Sequence, residues 1–339
     1  MKRDSVECSN SSLDIGSNNS GISFGNSQNW NGIRFNVSDC EIKNINGINI
    51  TFWNPKEVGN SNVNGLSIGL TPSAGNINGI SIGGAVVAEG NMNGINLGIL
   101  ASVAEQNMTG INFGGLALVS QGSISGINFG GLAQVAENNL TGFNFGGLAL
   151  VSKGEISGVN FGSLALVSNG AIEGISIGGL ALVSEGNITG INLGGLALVT
   201  QGKISGINFG GLALVSNDEI NGLNIGGLTV TNSSGIMGLN ITAGLLQSEW
   251  KITGLSFAGY KTKAAELNGI NISPIWSDIE ELNGISIAGF NRITNVQTGI
   301  TIGLVNFAEI LHGIQIGLIN IVENNPAPFK ILPFFNANL

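Results

Sequence analysis

The sequence predicts an all-β fold: a β-solenoid (β-helix-like) of 14–16-residue coils with two short strands per coil. Three observations predict it. First, Gly110, Gly126, Gly142, Gly158, Gly174, Gly190, Gly206, Gly222, Gly238 and Gly254 follow one another at 16 residues without a slip. A fixed period this short means one stacked unit per repeat. Second, the unit, G-I-N-F-G-G-L-A-L-V-S-x-G-x-I-S from Gly110 to Ser125, is poor helix material. Each interior glycine would cost a helix roughly 1 kcal/mol, and the Ile, Val, Phe and Thr between the glycines favour strands. Third, apolar residues alternate with polar ones inside the unit, as in Ile127-Asn128-Phe129, which is the period of a strand.

The elements follow in chain order. Residues 1–20 are polar, rich in Ser and Asn, and read as a loose tail. Residues 21–323 form the solenoid domain. Its repeats become recognisable near Gly32 and recur at Gly47, Gly65, Gly79 and Gly94 with spacings of 14 to 18. The regular coils run over 94–254. Spacing then tightens to 15 at Gly269, Gly284 and Gly299, and to 14 at Gly313. Residues 324–339, NNPAPFKILPFFNANL, break the pattern and read as a C-terminal cap. An open last coil would expose strand edges and core, so a solenoid needs one.

Within a coil the charges mark a wet corner. Glu137, Lys153, Glu155, Glu173, Glu185, Lys203, Asp218 and Glu219 lie in or beside the turn between the Val strand and the next Ile. The Gly-Gly pair makes the other corner, where backbone angles closed to other residues are expected. Alternation then assigns faces. The position of Asn128 is Asn or a small hydroxyl residue in most coils, between two apolar neighbours, so Asn128 is expected outward and Ile127 and Phe129 inward. The position of Gln134 varies among Ser102, Leu118 and, by counting from the glycine, Arg292. An Arg in a thin dry core carries a large penalty, so this position is also expected outward, with Ala133 and Val135 inward. Asn291, which that count places at the Ala133 position, is the one residue that fits badly.

Composition bounds the function. Of 339 residues, 10% are charged, 42% are hydrophobic, and the net charge is -9. This is not a disordered composition, nor collagen, since glycine does not recur every third residue. Arg3, Arg34 and Arg292 are the only arginines and the lysines are scattered, so no nucleic-acid partner is expected. Cys8 and Cys40 are too few for a disulfide scaffold, and the redox compartment is not read from them. No apolar run is long enough for a transmembrane helix, and no ordinary signal peptide is visible.

The repeat resembles a bacterial surface-repeat family of short G-[IVL]-[NQ]-[IF]-G-G-[LF] units. The resemblance rests most on Gly299-Ile-Thr-Ile-Gly-Leu-Val-Asn-Phe, Leu311-His-Gly-Ile-Gln-Ile-Gly-Leu-Ile-Asn-Ile, then Glu323-Asn-Asn-Pro and a Pro-Phe ending. It implies a bacterial protein in a surface or secreted setting, and it brings no catalytic residues.

Candidate chemistry is sparse. His312 is the only histidine, beside the last repeat glycine, with no triad or metal partner nearby. Glu280 and Glu281 are adjacent on a loop, without the cleft that a carboxylate-pair hydrolase needs. Glycine pairs such as Gly130-Gly131 lack the Lys-Ser/Thr of a phosphate loop. No cofactor and no metal site is expected. Two ladders stand out. The polar one is Asn112, Asn128, Asn144, Asn160, Asn192, Asn208, Asn224 and Asn240, whose stacked amides can bond along the sheet or, if outward, present a flat face to ice or a glycan. The apolar one is Leu118, Leu150, Leu166, Leu182, Leu198, Leu214 and Val230, broken by Gln134, expected outward as an interaction stripe.

The function expected is a non-catalytic structural or interaction scaffold at the cell surface or secreted, whose partner is a protein, a glycan or its own copies. An effector delivered into a host cell by specialised secretion is the alternative. An outer-membrane β-barrel is another, which short half-repeats and missing aromatic girdles disfavour. A cleft for an enzyme would sit near Trp30 and Trp53.

Overall fold

The computed structural model describes residue 8, residues 11–56 and residues 58–338. Every regular element among them is a β-strand. The strands stack as a β-solenoid of about 15 turns with roughly 16 residues per turn. The chain divides into two compact units, Met1–Gly170 and Ala171–Leu339.

In the first unit a regular coil has a seven-residue strand, Ile124–Gly130, and a four-residue strand, Ala133–Ala136. Each pairs in parallel with its equivalent one coil away. Asn128 stands beside Asn112 and Asn144, and Gln134 beside Leu118 and Leu150. The second unit repeats this arrangement, with Asn208 beside Asn192 and Asn224 and Leu198 beside Leu182 and Leu214. From Lys261 to Val322 strand follows strand through 62 residues, and the chain still turns through coils at Gly269, Gly284, Gly299 and Gly313.

The faces are the reverse of the sequence expectation. Four side chains per coil point inward and are buried: Ile124, Asn128, Gln134 and Ala136 in one coil, and Ile188, Asn192, Leu198 and Thr200 in another. Ile127 is 45% and Leu132 47% exposed, and Phe129, Ala133 and Val135 are half-buried on the outer surface. Two residues explain the inversion. Arg292 is exposed while Asn291 and Ile293 are buried. Its coil has lost a residue at the Gly-Gly corner, so Asn291, not Arg292, occupies the Gln134 position. Arg34, at the Asn128 position, is fully buried, because Asp39 neutralises it.

Glycine works at both strand ends. Gly126 has φ +109°, a left-handed value that L residues avoid, and a Cβ there would lie 2.1 Å from the Gly110 carbonyl oxygen. The Gly-Gly corner differs from expectation: Gly130 and Gly131 carry no positive φ. They are needed for closeness, since added Cβ atoms would meet the carbonyls of Ala133 at 2.1 Å and Gly115 at 1.7 Å.

An antiparallel strand closes one end of each unit. Ser12–Ser17 pairs antiparallel with Ser20–Gly25, which pairs in parallel with Asn29–Asn36. Part of the expected loose tail is thus a hairpin, with Leu13 opposite Phe24 and Ile15 opposite Ile22. Residues 1–7, 9 and 10 of that tail lie outside the described residues. In the second unit Ile331–Asn338 runs antiparallel to Gly313–Ile321 and covers the last coil.

Candidate functional surface

The buried Asn row forms an amide ladder within each unit, and Ser176 takes the Asn position in the coil before Asn192. In the first unit Asn96 donates to Asn112, Asn112 to Asn128, Asn128 to Asn144 and Asn144 to Asn160, each at 2.9 Å from Nδ2 to Oδ1. In the second, Asn192, Asn208, Asn224 and Asn240 are joined by bonds of 3.0, 3.0 and 2.9 Å. Stacking thus satisfies amides that would otherwise be costly to bury. The expected bonding is present, but the row faces inward, so it offers no polar face to ice or a glycan.

The Leu row is interior as well. Leu118, Leu150, Leu166, Leu182, Leu198, Leu214 and Val230 are all fully buried, so they are core and not an interaction stripe. Gln134 breaks the row without opening it. Its Nε2 reaches across the core to Asn144 Oδ1 at 3.0 Å, while its Oε1 finds no partner. In the later coils Asn291, Asn306 and Asn320 take over this row and bond in sequence at 2.8 Å.

What remains on the outside of the regular coils is mostly apolar on three sides, with a Thr109, Ser125, Thr141 and Ser157 row where one sheet face meets the wet corner. One sheet face carries rows such as Ile111, Ile127 and Phe143, interleaved with Phe113, Phe129 and Phe145. Rings of neighbouring coils approach within 5.7 Å (Phe129–Phe143) and 6.1 Å (Phe129–Phe145). The Gly-Gly corner carries Leu116, Leu132 and Leu148 in the first unit and Leu180, Leu196 and Leu212 in the second, each 47–50% exposed. From Ala101 to Val215 the second sheet face is Ala and Val, and beyond it the same positions pass to Thr229, Thr231, Lys261 and Lys263. Such a surface far exceeds the scattered exposed hydrophobics normal on a soluble monomer.

The fourth side is the wet corner, where sequence and structure agree. Glu137, Lys153, Glu155, Glu173, Glu185 and Lys203 are exposed, and Asp218 and Glu219 half-exposed. Ion pairs join adjacent coils there: Lys153 with Glu137, Lys203 with Glu219 at 3.1 Å and Lys251 with Glu266 at 3.2 Å. The hydrogen bond from Lys203, then that from Asn221, holds the Glu219 carboxyl below the usual carboxylate range. The bond to Glu219 raises Lys203 in turn. Glu266 is lowered by hydrogen bonds from Asn268 and Lys251. Asn139 and Asn187 support the corner by accepting the backbone N–H of Glu155 and Lys203, each at 2.9 Å.

The irregular coils carry features that the glycine count does not reveal. Arg34 Nη1 donates to Asp39 at 2.5 Å and to Asn49 at 2.7 Å, and Nη2 to Asn26 at 3.0 Å. Thr51 and Asn36 complete the shell on Asp39, each at 2.8 Å. Asn26 also bonds the backbone of Cys40, which forms a disulfide with Cys8. On the outer face Asn31, Asn46, Asn64, Asn78 and Asn93 form an amide ladder at 2.7–2.9 Å. Its sequence signal is the Asn-Gly dipeptide at Gly32, Gly47, Gly65, Gly79 and Gly94.

Of the residues considered for chemistry, His312, Glu280 and Glu281 are exposed. Trp30 is core and donates to the Gly21 carbonyl at 3.2 Å, whereas Trp53 is exposed, so the two form no shared cleft. A shallow hollow of about 390 Å³ lies on the wet corner of the second unit, lined in part by Lys263, Asp278, Glu280 and Arg292. Asp278 there is engaged by Lys261 at 2.9 Å. Among the described residues no group of three His, Cys, Asp or Glu is placed to hold a metal ion, and no helix is long and apolar enough to cross a membrane.

In comparisons with known proteins, no family model, no curated protein and no solved structure matches this chain.

Proposed function

We propose that this protein is a non-catalytic scaffold that works through its outer apolar rows, in an extracytoplasmic setting. The exposed Ile, Phe and Leu ladders carry this reading, because apolar surface of this extent is stable only when something covers it. The inward ladders are occupied with holding coils together and are not available to a partner. The Cys8–Cys40 disulfide supports an oxidising compartment, as does the resemblance of the Gly299–Phe307 segment to bacterial surface-repeat proteins. A spanning β-barrel is not supported, since regular coils pair in parallel and bacterial barrels are antiparallel.

Sedimentation of the purified full chain tests the reading. In plain buffer the chain is expected to run as large, mixed species. In mild detergent it should run as one small species that carries bound detergent. A single monomeric species that binds no detergent would overturn it.

A further inference from the structure

We infer that the cover on the outer rows is the hydrocarbon of a lipid bilayer, entered by the two sheet faces and the Leu corner while the wet corner stays in water. This rests on the scaffold reading above and names the medium its outer rows meet.

The charge distribution is the first support. Between Gly94 and Ala258 the chain has eleven charged residues, from Glu105 to Lys251, and each lies 11 to 15 residues after its repeat glycine. From Gly94 to Leu228 positions 1, 3, 6, 7 and 9 after each glycine are all Ile, Val, Leu, Phe or Ala; the polar outward row at position 15, with Thr109, Ser125, Thr141, Ser157 and Glu173, borders the wet corner, and Ser163 interrupts the Leu corner. A flat protein partner, including a second copy, covers one face at a time. These rows occupy two faces and the corner between them, which a fluid apolar phase covers together. The cross-section is that of an interfacial amphipathic element, with one polar edge and a broad apolar remainder.

Backbone satisfaction is the second point, a condition for entering hydrocarbon that the coils meet. Unpaired N–H and C=O groups exclude a segment from hydrocarbon. At the Leu corner Gly131 N–H bonds Gly114 at 2.8 Å, and Leu132 and Ala133 N–H both bond Leu116, at 2.8 and 3.0 Å. In the second unit Leu212 and Ala213 do the same with Leu196, at 2.7 and 3.0 Å. The wet corner is closed in the same way, with Glu137 N–H on Ser120 at 3.0 Å and Asn138 N–H on Gly122 at 3.1 Å, so the closure permits immersion and the charge distribution alone selects the side that enters. In the regular coils the Asn96–Asn160 and Asn192–Asn240 amides are sequestered inside, whereas the outer Asn31–Asn93 ladder of the irregular coils stays at the polar edge.

The third support sets the lipid type. The wet corner of these coils holds eight carboxylates against three lysines, so attraction to anionic headgroups is not the driving force. Binding is expected to be apolar, as strong on zwitterionic as on anionic vesicles and insensitive to salt.

The test is flotation of the full chain with phosphatidylcholine vesicles. It is combined with environment-sensitive dyes on Leu148→Cys and Leu196→Cys at the Leu corner and on Asn138→Cys and Glu185→Cys at the wet corner. The chain should float in low and high salt. Quenchers carried on the acyl chains should reach the dyes at 148 and 196 but not those at 138 and 185. Changing Leu132, Leu148, Leu180 and Leu196 together to Asn should lower partitioning by about tenfold or more, with the far-ultraviolet β signal unchanged because all four point outward. Flotation only on anionic vesicles and only at low salt would overturn the inference. So would a chain that ignores vesicles but self-associates with its Leu-corner dyes shielded; that outcome assigns the rows to a second copy and leaves the scaffold reading standing. A chain that neither floats nor associates would overturn both.

Discussion

Gln134 is the residue at which the interior can best be interrogated. It buries an amide in a row otherwise filled by Leu, gains one bond to Asn144 and leaves Oε1 without a partner. Restoring the row with Gln134→Leu removes that cost, so stability should rise by about 1 kcal/mol in urea denaturation. Asn208→Leu should do the opposite. It strands the Asn192 donor and the Asn224 acceptor, at about 1–3 kcal/mol for each unsatisfied group. If both substitutions prove neutral, the amide row faces water after all. The same residues show what the sequence could reveal. Alternation placed Asn128 opposite Ile127 and Phe129, and the structure keeps that relation. Alternation is silent, however, on which side is inside. The sequence favours the apolar side inward, because burying apolar residues is the common solution and counting from the glycine puts Arg292 in the Gln134 position. A single residue missing from one corner shifted that count. The Arg34–Asp39 pair, five residues apart across a corner, has no periodic signature and could not be read at all.

At the scale of the coil, the wet corner was legible because charge is excluded everywhere else in the unit, and a charged residue is seldom buried without a partner. Its inter-coil pairs make the stability of the second unit pH-dependent in a defined direction. Glu219 titrates below the ordinary glutamate range. Its contribution is complete above that range and is lost as pH falls through its lowered folded value. Lys203 is raised, so its contribution is complete below the ordinary lysine range and lost as pH climbs through the raised value. The pair therefore acts across the neutral region. The stability difference between the native chain and Glu219→Gln should shrink steadily in urea melts taken from pH 7 toward pH 3. The Glu219 carboxyl resonance should titrate below that of a free glutamate. A difference that stays constant with pH would show that the pair adds nothing. These groups are exposed, so salt should weaken the effect.

For the molecule as a whole, setting decides what the outer rows meet. The Cys8–Cys40 bond joins residue 8 to the segment that carries Asp39, the partner of the buried Arg34. Thiol labelling of freshly lysed producing cells, with no reductant, should find both cysteines unreactive. An epitope inserted in the exposed turn after Asn138 should be reached by antibody on intact cells or recovered from the medium, and removed by added protease. Reactive thiols together with a protease-protected epitope would place the protein in the cytoplasm and end the extracytoplasmic reading.

The identity of successive coils has a consequence for how the chain reaches its fold. A strand displaced by one coil meets another Asn in the amide row and another Leu in the apolar row. Slipped pairings sixteen residues out of step therefore forfeit little beyond the contacts of a single coil, and they compete closely with the native one. Only irregular places distinguish them: the uneven coils before Gly94, the short corner before Asn291, and the antiparallel strands at Ser12–Ser17 and Ile331–Asn338. These non-repeating segments are the landmarks by which an otherwise ambiguous chain finds a single alignment with itself.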